Sequence, residues 1–261
     1  MHRTPITADF SQFPAIFHSF LQDATIFDSS CSSAARVYFL DKGPGFYLKT
    51  APKGALQKEA ALTAFFHSKN LSAEVLCYES LDADWMLTRR LSGEDCIHLQ
   101  YISDPQRLCD TTAQLLRMLH DIDHTSCPIA NRTADYLATA RHNYRSQHYD
   151  IALFPDNWGY VSPEEAWAEL EQNGKYLQAN TLLHGDYCLP NILLDDWRFS
   201  GFIDLDAGGV GDRHVDLFWG IWSLQFNLKT DRYRQRFLDA YGRENICEDI
   251  FRTIAAAEVF G

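Results

Sequence analysis

The sequence predicts an α+β protein with two lobes: a small β-rich N-terminal lobe, residues 1–91, and a larger, mostly helical C-terminal lobe, residues 92–261. In the first ninety residues, short runs of β-branched and aromatic residues alternate with turn residues, which is typical of strands. Beyond them, apolar residues recur at helical spacing behind capping signals. A chain of 261 residues can bury a sizeable core, as one large domain or as two lobes.

A hairpin is the clearest element of the N-terminal lobe. Strand-like segments at 35–40 and 46–50 flank turn residues at 41–45, which contain Lys-Gly-Pro-Gly. Residues 58–68 follow with helical spacing. Two further strands are expected, at 74–78 and 85–89. One helix packed on a small antiparallel sheet accounts for this lobe, and the lobe boundary falls near residues 88–93.

Two helix starts mark the C-terminal lobe. Asp104 is a cap residue with Pro105 at the first helical position, and leucines at helical spacing continue to His120. Ser162 and Glu165 form a capping box that starts a second helix. The other elements expected are helices at 216–228, 231–241 and 247–259, and a short hairpin of 192–194 with 200–203, turned at Asp195-Asp196.

The charge balance indicates the class of partner. The chain has 23 Lys and Arg against 35 Asp and Glu, a net charge of -12. A phosphate backbone requires a basic footprint, so nucleic acid is not expected as the main partner. The acidic balance suits a cationic small molecule, although acidic residues also serve solubility alone.

The cysteines and the apolar runs indicate the compartment. The seven cysteines are scattered and show no CxxC or Cys/His spacing, so we expect buried hydrophobic thiols in a reducing cytoplasm, with neither disulfides nor zinc. The N-terminus lacks the apolar core of a signal peptide, and no apolar run has the length of a membrane span. We expect a cytoplasmic monomer or weak dimer that does not contact a membrane.

The strongest functional signal is a set of three polar residues around two apolar segments. Asp186 follows His-Gly on a tight turn, Asn191 comes five residues later, and Asp204 ends an apolar strand. Phosphoryl transfer from a metal-bound nucleotide needs one carboxylate to orient the attacking hydroxyl, and an Asn and an Asp to hold Mg²⁺. An isolated His-Gly-Asp favours an acid that caps its turn, but the full spacing favours catalysis. We therefore predict Asp186 as the catalytic residue, and Asn191 and Asp204 as Mg²⁺ ligands.

A lysine in the N-terminal lobe supports the same chemistry. Lys49 lies in an apolar strand, where a lysine needs a partner, and Glu59 on the following helix is the candidate. Kinases use such a pair to hold the nucleotide phosphates, whereas a strand lysine alone is usually an exposed edge charge. The small, polar segment that contains Ser32 and Ser33 suits backbone N–H groups facing phosphate, but any Ser-rich loop has this composition.

Taken together, these motifs resemble the aminoglycoside phosphotransferase family, specifically its 3'-phosphotransferase branch. The similarity covers nearly the whole chain through the segments SSAARVYFL, FYLKT, LQKEAAL, LSGEDC, LLRMLHDIDHTSCP, HGDYCLPNI, FSGFIDLDAGG and AEVFG. Because these enzymes resemble protein kinases, the likeness implies a two-lobed protein-kinase-like fold. It also implies transfer of the γ-phosphate of ATP or GTP to an aminoglycoside hydroxyl.

The resemblance also implies roles for individual residues. Asp216 matches a buried acid that braces the catalytic loop. The residues expected at the nucleotide are Lys49 with Glu59 at the α- and β-phosphates, Ser32 and Ser33 in a loop over the phosphates, Tyr47 stacked on the base, and Arg89 and Leu91 where the linker backbone meets the base edge.

The expected acceptor site departs from the family pattern. Asp156 matches one acid of the substrate loop, but the next expected acid is a glycine. Trp222 and Phe226 stand where relatives often carry an Arg and an acid; they either pack in a core or favour a less charged acceptor. Near the end, Glu258 matches one acid, and Gly261 places the terminal carboxylate one residue further on.

Three alternatives remain open. The same chemistry could act on a choline-like amine, a macrolide or another hydroxylated metabolite. A metal-dependent phosphoesterase could use His184, Asp186, Asp204 and His214, although two-metal hydrolases need more ligands and this scheme gives Lys49 no role. A nucleotide-binding module without catalysis would be expected to lack one of the three polar motif residues, and all three are present.

Overall fold

The structure is a computed structural model of the chain, and it describes residues 3–7, 9–149, 159–160 and 162–261. The strands are β1 Thr4–Pro5, β2 Thr25–Asp28, β3 Arg36–Asp41, β4 Phe46–Pro52, β5 Val75–Ser80, β6 Ala83–Arg89, β7 Glu94–Asp95, β8 Thr181–Leu183, β9 Ile192–Asp195, β10 Arg198–Phe202 and β11 Gly209–Gly211. The helices are α1 His18–Leu21, α2 Gln57–Ser68, α3 Leu99–Ile102, α4 Pro105–His120, α5 Arg132–Arg145, α6 Pro163–Asn173, α7 His214–Leu228, α8 Arg234–Tyr241 and α9 Ile250–Glu258.

The chain divides into two compact units, each formed by two segments. The first unit comprises Met1–Asp95 and Ile192–Asp206, and the second comprises Cys96–Asn191 and Ala207–Gly261. The first unit contains a six-stranded antiparallel sheet in the order β1-β2-β3-β4-β6-β5 and a three-stranded sheet, β10-β9-β7. The described part of the second unit is mostly helical, and its strands β8 and β11 form a two-stranded ladder. The architecture is the expected α+β fold.

Strand alternation in the six-stranded sheet places two different buried clusters on its two faces. Tyr38 and Leu48, opposed across β3 and β4, pack with Phe13 and Phe17 from the preceding turns in one buried cluster. Because successive side chains of a strand point to opposite faces, the neighbours of Leu48 lie on the other face. Lys49 is one of them, so the local sequence places it on the face that does not hold this cluster.

The predicted local elements are largely confirmed. The hairpin is β3–β4, the N-terminal helix is α2, and the two further strands are β5 and β6. Asp104 caps α4 by accepting a hydrogen bond from the N–H of Arg107 at 3.3 Å, with Pro105 at the first helical position. Ser162 caps α6 by accepting one from the N–H of Glu165 at 3.1 Å.

Some boundaries differ from the predictions. The helix expected from residue 231 begins at Arg234, and the last helix begins at Ile250. The C-terminal hairpin turns at Asp196-Trp197, both with positive φ, and not at Asp195-Asp196, because Asp195 still pairs with Arg198. The prediction places residues 192–206 with the helical lobe, whereas the structure groups them with the first unit, since β9 pairs with β7.

The exposure of the cysteines and the length of the helices can be compared with the predictions. All seven cysteines are free; Cys96, Cys109 and Cys127 are buried and Cys77 and Cys188 half-buried, but Cys31 and Cys247 are exposed, so the expectation of buried thiols is wrong for these two. Both lie in loop segments, where packing does not enclose them. No helix in the described part of the chain is both long and apolar enough to cross a bilayer.

Candidate active site

The first unit holds a lysine between two carboxylates. Nζ of Lys49 on β4 lies 2.8 Å from both carboxylate oxygens of Glu59 on α2, so the predicted pair is confirmed. Nζ also lies 2.8 Å from Oδ1 of Asp204, a contact that the sequence does not predict because the two residues are 155 positions apart. The side chains of Lys49 and Glu59 are 17% and 6% exposed, whereas that of Asp204 is 58% exposed.

Burial and charge act in opposite directions on this lysine. Burial alone would lower the pKa of Lys49, but the carboxylates of Asp204 and Glu59 outweigh it and hold that pKa above its usual value. Burial raises the pKa of Glu59, and the Lys49 charge offsets only part of that increase. The lysine therefore remains an ammonium at neutral pH, as phosphate binding requires.

Asp204 has an uncommon backbone conformation. Its φ is +56°, in the left-handed region that Asp and Asn tolerate better than most residues with a Cβ. The residue follows the end of β10, so the conformation turns the chain sharply as the strand finishes. An acid placed at such a turn is held by its backbone as well as by its contact with Lys49.

In the second unit, the Asp186 loop is built around a glycine that no other residue could replace. Gly185 has φ +86°, and a Cβ at this position would lie 1.9 Å from the carbonyl oxygen of Ala207. The backbone at 185 therefore lies directly against residue 207, and a side chain would force them apart. The tight turn predicted from His-Gly-Asp is confirmed.

A buried acid fixes the same loop from the opposite side. Asp216, in the first turn of α7, accepts hydrogen bonds from the N–H groups of His184 and Gly185, both at 2.7 Å. It is fully buried, as is the side chain of His120, whose Nε2 lies 3.2 Å from the same carboxylate. The structure thus shows Asp216 bracing the loop, the role implied by the family resemblance.

A directional hydrogen-bond chain extends from this acid. Burial lowers the pKa of His120, so the ring is neutral and donates from Nε2 to Asp216. Its Nδ1 then accepts from the hydroxyl of Tyr241 at 2.8 Å, and that oxygen accepts from Arg213 at 3.2 Å. Asp216 can only accept and Arg213 can only donate, so the direction of the chain and the tautomer of the neutral His120 ring are fixed. The sequence did not single out His120 for this role.

Asp186 is oriented by Asn191. The amide nitrogen of Asn191 donates to Oδ2 of Asp186 at 2.9 Å and to its backbone carbonyl at 3.0 Å. Both bonds use the nitrogen, and the carboxamide oxygen is the atom of this side chain that can ligate a metal. Asp186 is half-buried, and Asn191 is buried.

The neighbouring residues have structural roles. Nδ1 of His184 accepts from the N–H of Asp186 at 3.3 Å, so this histidine supports its own loop, as expected. Burial raises the pKa of the Cys188 thiol, which agrees with a packed thiol and not a nucleophile.

The remaining nucleotide candidates lie on the first unit's loops and strand ends. Ser32 and Ser33 are exposed in the loop between β2 and β3. The hydroxyl of Tyr47 accepts a hydrogen bond from Arg3 at 2.7 Å. Arg89 ends β6 and pairs with Glu74 at 3.0 Å, and Leu91 packs against Gly201.

The acceptor candidates fall in three places. Asp156 lies outside the described residues. On α7, Phe226 is 54% exposed and Trp222 is half-buried, so core packing is wrong for Phe226, whereas their neighbour Phe218 is fully buried. Glu258 accepts hydrogen bonds from Tyr136 at 2.6 Å and Trp219 at 3.2 Å, and the N–H of Gly261 donates to its carbonyl at 3.2 Å.

Comparison with known proteins identifies the family. A sequence profile of the phosphotransferase enzyme family matches residues 27–253, most of the chain. The chain belongs to this family. It is 45% identical over 251 residues to a probable aminoglycoside 3'-phosphotransferase of Lactococcus lactis, covering 96% of this chain and 95% of that protein. It is 30% identical over 215 residues to the aminoglycoside 3'-phosphotransferase of Niallia circulans, covering 81% and 82%.

Solved structures agree on the fold of this phosphotransferase. The aminoglycoside phosphotransferase APH(3'')-Id from Streptomyces rimosus superposes with a TM-score of 0.77 at 22% identity, over 97% of this chain and 99% of that one. The same enzyme in complex with ADP and streptomycin gives a TM-score of 0.76 at 20% identity, over 97% and 99%. At these identities the likeness shows the kinase-like fold alone.

The phosphotransferase offers oxygen donors suited to magnesium. A carboxylate and a carboxamide oxygen are the hard ligands that Mg²⁺ prefers. On Asp204, Lys49 engages Oδ1, and the side chain that carries Oδ2 is more than half exposed. On Asn191, the amide nitrogen makes the contacts with Asp186. The donor chemistry of both residues therefore fits the predicted metal.

Proposed function

We propose that this phosphotransferase moves the γ-phosphate of ATP or GTP to a hydroxyl group of an aminoglycoside in the cytoplasm, as a monomer or weak dimer. The observation that carries the proposal is Asp186, a half-buried carboxylate held by the Asn191 amide at 2.9 Å on a loop that Asp216 braces. Similarity to named aminoglycoside 3'-phosphotransferases over nearly the full length supports the acceptor class.

Positioning, more than basicity, explains how Asp186 would act. In phosphoryl transfer the attacking oxygen must lie in line with the leaving group, and a fixed carboxylate orients the hydroxyl and accepts its proton. The Asn191 amide holds one carboxylate oxygen, Oδ2, and the other can accept the hydroxyl proton. An Asp tethered in this way loses little freedom when the acceptor binds.

The Lys49 site would hold the nucleotide. Its ammonium, which Glu59 aligns, would contact the α- and β-phosphates. Asp204 and Asn191 would hold Mg²⁺, which neutralises charge on the phosphates. Ser32 and Ser33 would cover the phosphates with backbone N–H groups, and Tyr47 would stack on the base near Arg89 and Leu91.

The acceptor side would be acidic. Glu258 supplies a carboxylate that two neighbours orient, and Asp156 would supply another. A net charge of -12 favours a cationic acceptor over the whole surface. Trp222, Phe226 and Gly261 would complete this side of the site.

An acceptor panel tests the proposal. Nucleoside diphosphate release, with ATP and GTP as donors, is measured with several aminoglycosides, choline and a macrolide. We expect turnover with aminoglycosides, and expect Asp186→Asn to lower kcat by about 10²–10⁴-fold with nearly unchanged nucleotide affinity. Asp195→Asn, at an exposed acid that ends β9, is the matched control. No turnover on any aminoglycoside, or an active Asp186→Asn variant, would refute the assignment.

One observation keeps a non-aminoglycoside acceptor as the second candidate. The exposed aromatic ring of Phe226, beside Trp222, suits a less charged acceptor. The phosphoesterase alternative is disfavoured. His214 engages Asp212 through Nδ1 at 2.6 Å and the N–H of Cys247 through Nε2 at 2.9 Å, so neither ring nitrogen is left for a metal.

A further inference from the structure

Three aromatic side chains form a row along one side of α7. Trp219, Trp222 and Phe226 are spaced three and four residues apart, so they lie on one side of the helix. Trp219 meets Trp222 edge to face, with ring centroids 5.3 Å apart, and Trp222 stacks on Phe226 at 5.0 Å and 11°. Trp219 and Trp222 are half-buried and Phe226 is 54% exposed, so the row leads from the interior of the unit to its surface.

The adjacent side of α7 holds the Asp186 loop. Asp216 binds the backbone of Gly185, and the hydroxyl of Ser223 accepts a hydrogen bond from the N–H of Leu189 at 2.9 Å. At 3.6 residues per turn, these two helix positions lie about a quarter turn from the aromatic row. The row is therefore rigidly connected to the loop that carries Asp186.

The inner end of the row meets the carboxyl group of Glu258. The indole N–H of Trp219 donates to Glu258 at 3.2 Å, and Tyr136 donates to the same oxygen at 2.6 Å. Burial raises the pKa of Glu258 to about 7, and the charge of Asp186 adds a smaller increase. An ammonium group beside Glu258 would favour its ionised form and pair with it.

The outer end of the row carries a positive charge. Nζ of Lys229, the C-cap residue of α7, lies 4.1 Å from the centroid of the Phe226 ring. A cation over an aromatic face is attracted by the ring quadrupole. The ammonium of Lys229 thus covers one face of the Phe226 ring, and it would repel a second cation there.

We propose that the row Trp219–Trp222–Phe226 binds the acceptor and selects one with charge on one side only: a ring with ammonium groups at Glu258, and a ring without positive charge at Phe226 and Lys229. This inference rests on the proposed function. The substrate class is an amino sugar whose distal ring bears hydroxyl groups. Its C–H groups pack on the exposed parts of the Trp222 and Phe226 side chains, while Lys229 disfavours a distal ammonium group.

Charge reversal at Lys229 tests the inference. The measurement is kcat/KM for two aminoglycosides that differ only in carrying an ammonium or a hydroxyl group on a distal ring. We expect Lys229→Glu to raise the ammonium-to-hydroxyl ratio about fivefold or more, the scale of reversing one exposed charge pair. Lys229→Asn should give an intermediate ratio, because Asn tolerates the left-handed backbone of this position.

A matched control comes from another lysine over an aromatic ring. Lys175 is exposed, and its Nζ lies 5.1 Å from the Tyr176 ring centroid. Lys175→Glu makes the same change in net charge and should leave the ratio unchanged. An equal effect of Lys175→Glu would show a general charge effect and would overturn the inference.

Aromatic variants supply a readout that does not need turnover. Trp222→Ala and Phe226→Ala, each combined with Asp186→Asn, should weaken acceptor binding measured by calorimetry about tenfold, while nucleotide Kd stays constant. Turnover on aminoglycosides with an unchanged ratio in Lys229→Glu would overturn this inference alone. Absence of turnover on every aminoglycoside would overturn the proposed function and this inference with it.

Discussion

At the scale of single residues, the site depends on side chains whose hydrogen bonds leave them little freedom. Asn191 uses its amide nitrogen on Asp186, Asp216 accepts from two loop N–H groups, and Lys49 is shared by two carboxylates. Each of these residues is positioned before any ligand arrives. Preorganised groups of this kind are the main source of catalytic power in phosphoryl transfer.

Glu258 gives a pH prediction. Burial raises its pKa to about 7, the negative charge of Asp186 adds to this, and hydrogen bonds from Tyr136 and Trp219 with the charge of Arg132 oppose it. The group is therefore neutral below that pH and ionised above it. We expect the affinity for a cationic acceptor to rise from pH 6 to pH 8, measured as KM in parallel with Glu258→Gln. The acceptor amines titrate in both experiments, so the difference between the two KM–pH profiles reports the ionisation of Glu258 alone.

The same shift has a consequence for stability. Since the folded pKa lies above the ordinary value of 4.5, the folded state binds more protons than the unfolded state between these values. The contribution of Glu258 to stability is present below pH 4.5 and is lost as pH rises through about 7. The free energy of unfolding of wild type and of Glu258→Gln is measured by chemical denaturation at several pH values. Parallel pH profiles for the two proteins would contradict this assignment.

At the scale of elements, α7 is the organising helix of the second unit. Its first turn holds the Asp186 loop through Asp216, its middle holds Leu189 through Ser223, and its exposed side carries the aromatic row. Helix α4 supports it by directing His120 onto Asp216. The geometry of the loop therefore depends on the packing of α4 against α7.

His120 gives the prediction at this scale. His120→Leu removes a donor from the buried Asp216 carboxylate and an acceptor from Tyr241, a loss of about 1–3 kcal/mol. We expect kcat to fall about tenfold, the rate equivalent of 1.4 kcal/mol, with little change in nucleotide KM. His120→Gln, which keeps an N–H donor, should recover part of the rate. A Gln variant as slow as the Leu variant, at equal folded fraction, would contradict the positioning role.

Sequence patterns predicted some elements and contacts better than others. Turn residues around β3–β4 and the caps at Asp104 and Ser162 act locally, so their effects could be read directly. The Lys49–Glu59 pair was predictable because strand and helix are adjacent in the chain. The Lys49–Asp204 contact was not, since it joins residues 155 positions apart. Helix α5 and the short strands β1, β7, β8 and β11 also lacked strong local signals.

At the scale of the whole molecule, charge is the dominant property. A net charge of -12 draws cations from solution toward the protein and repels anions. The nucleotide is an anion, so its binding depends on local positive groups such as Lys49. The acceptor, if cationic, benefits from the field of the whole chain.

This asymmetry gives a salt prediction. Raising NaCl from about 0.05 M to 0.3 M shortens the screening length, so we expect the aminoglycoside KM to rise several-fold. The nucleotide KM should not rise in parallel, because screening also weakens the repulsion between the nucleotide and the acidic protein. The two constants are measured in one assay by varying each substrate in turn. A salt-independent aminoglycoside KM would show that the acceptor is not guided by charge.

The exposure of Phe226 has a consequence for how this enzyme can change over generations. Gly185, Asp216 and His120 are buried, so a mutation in any of them threatens catalysis and folding together. Phe226 is 54% exposed, and Lys229 beside it is also exposed, so substitutions there would alter little of the core. A new acceptor could therefore be reached by single mutations that leave phosphoryl transfer intact, and selection could widen or narrow the range of acceptors without changing the catalytic residues.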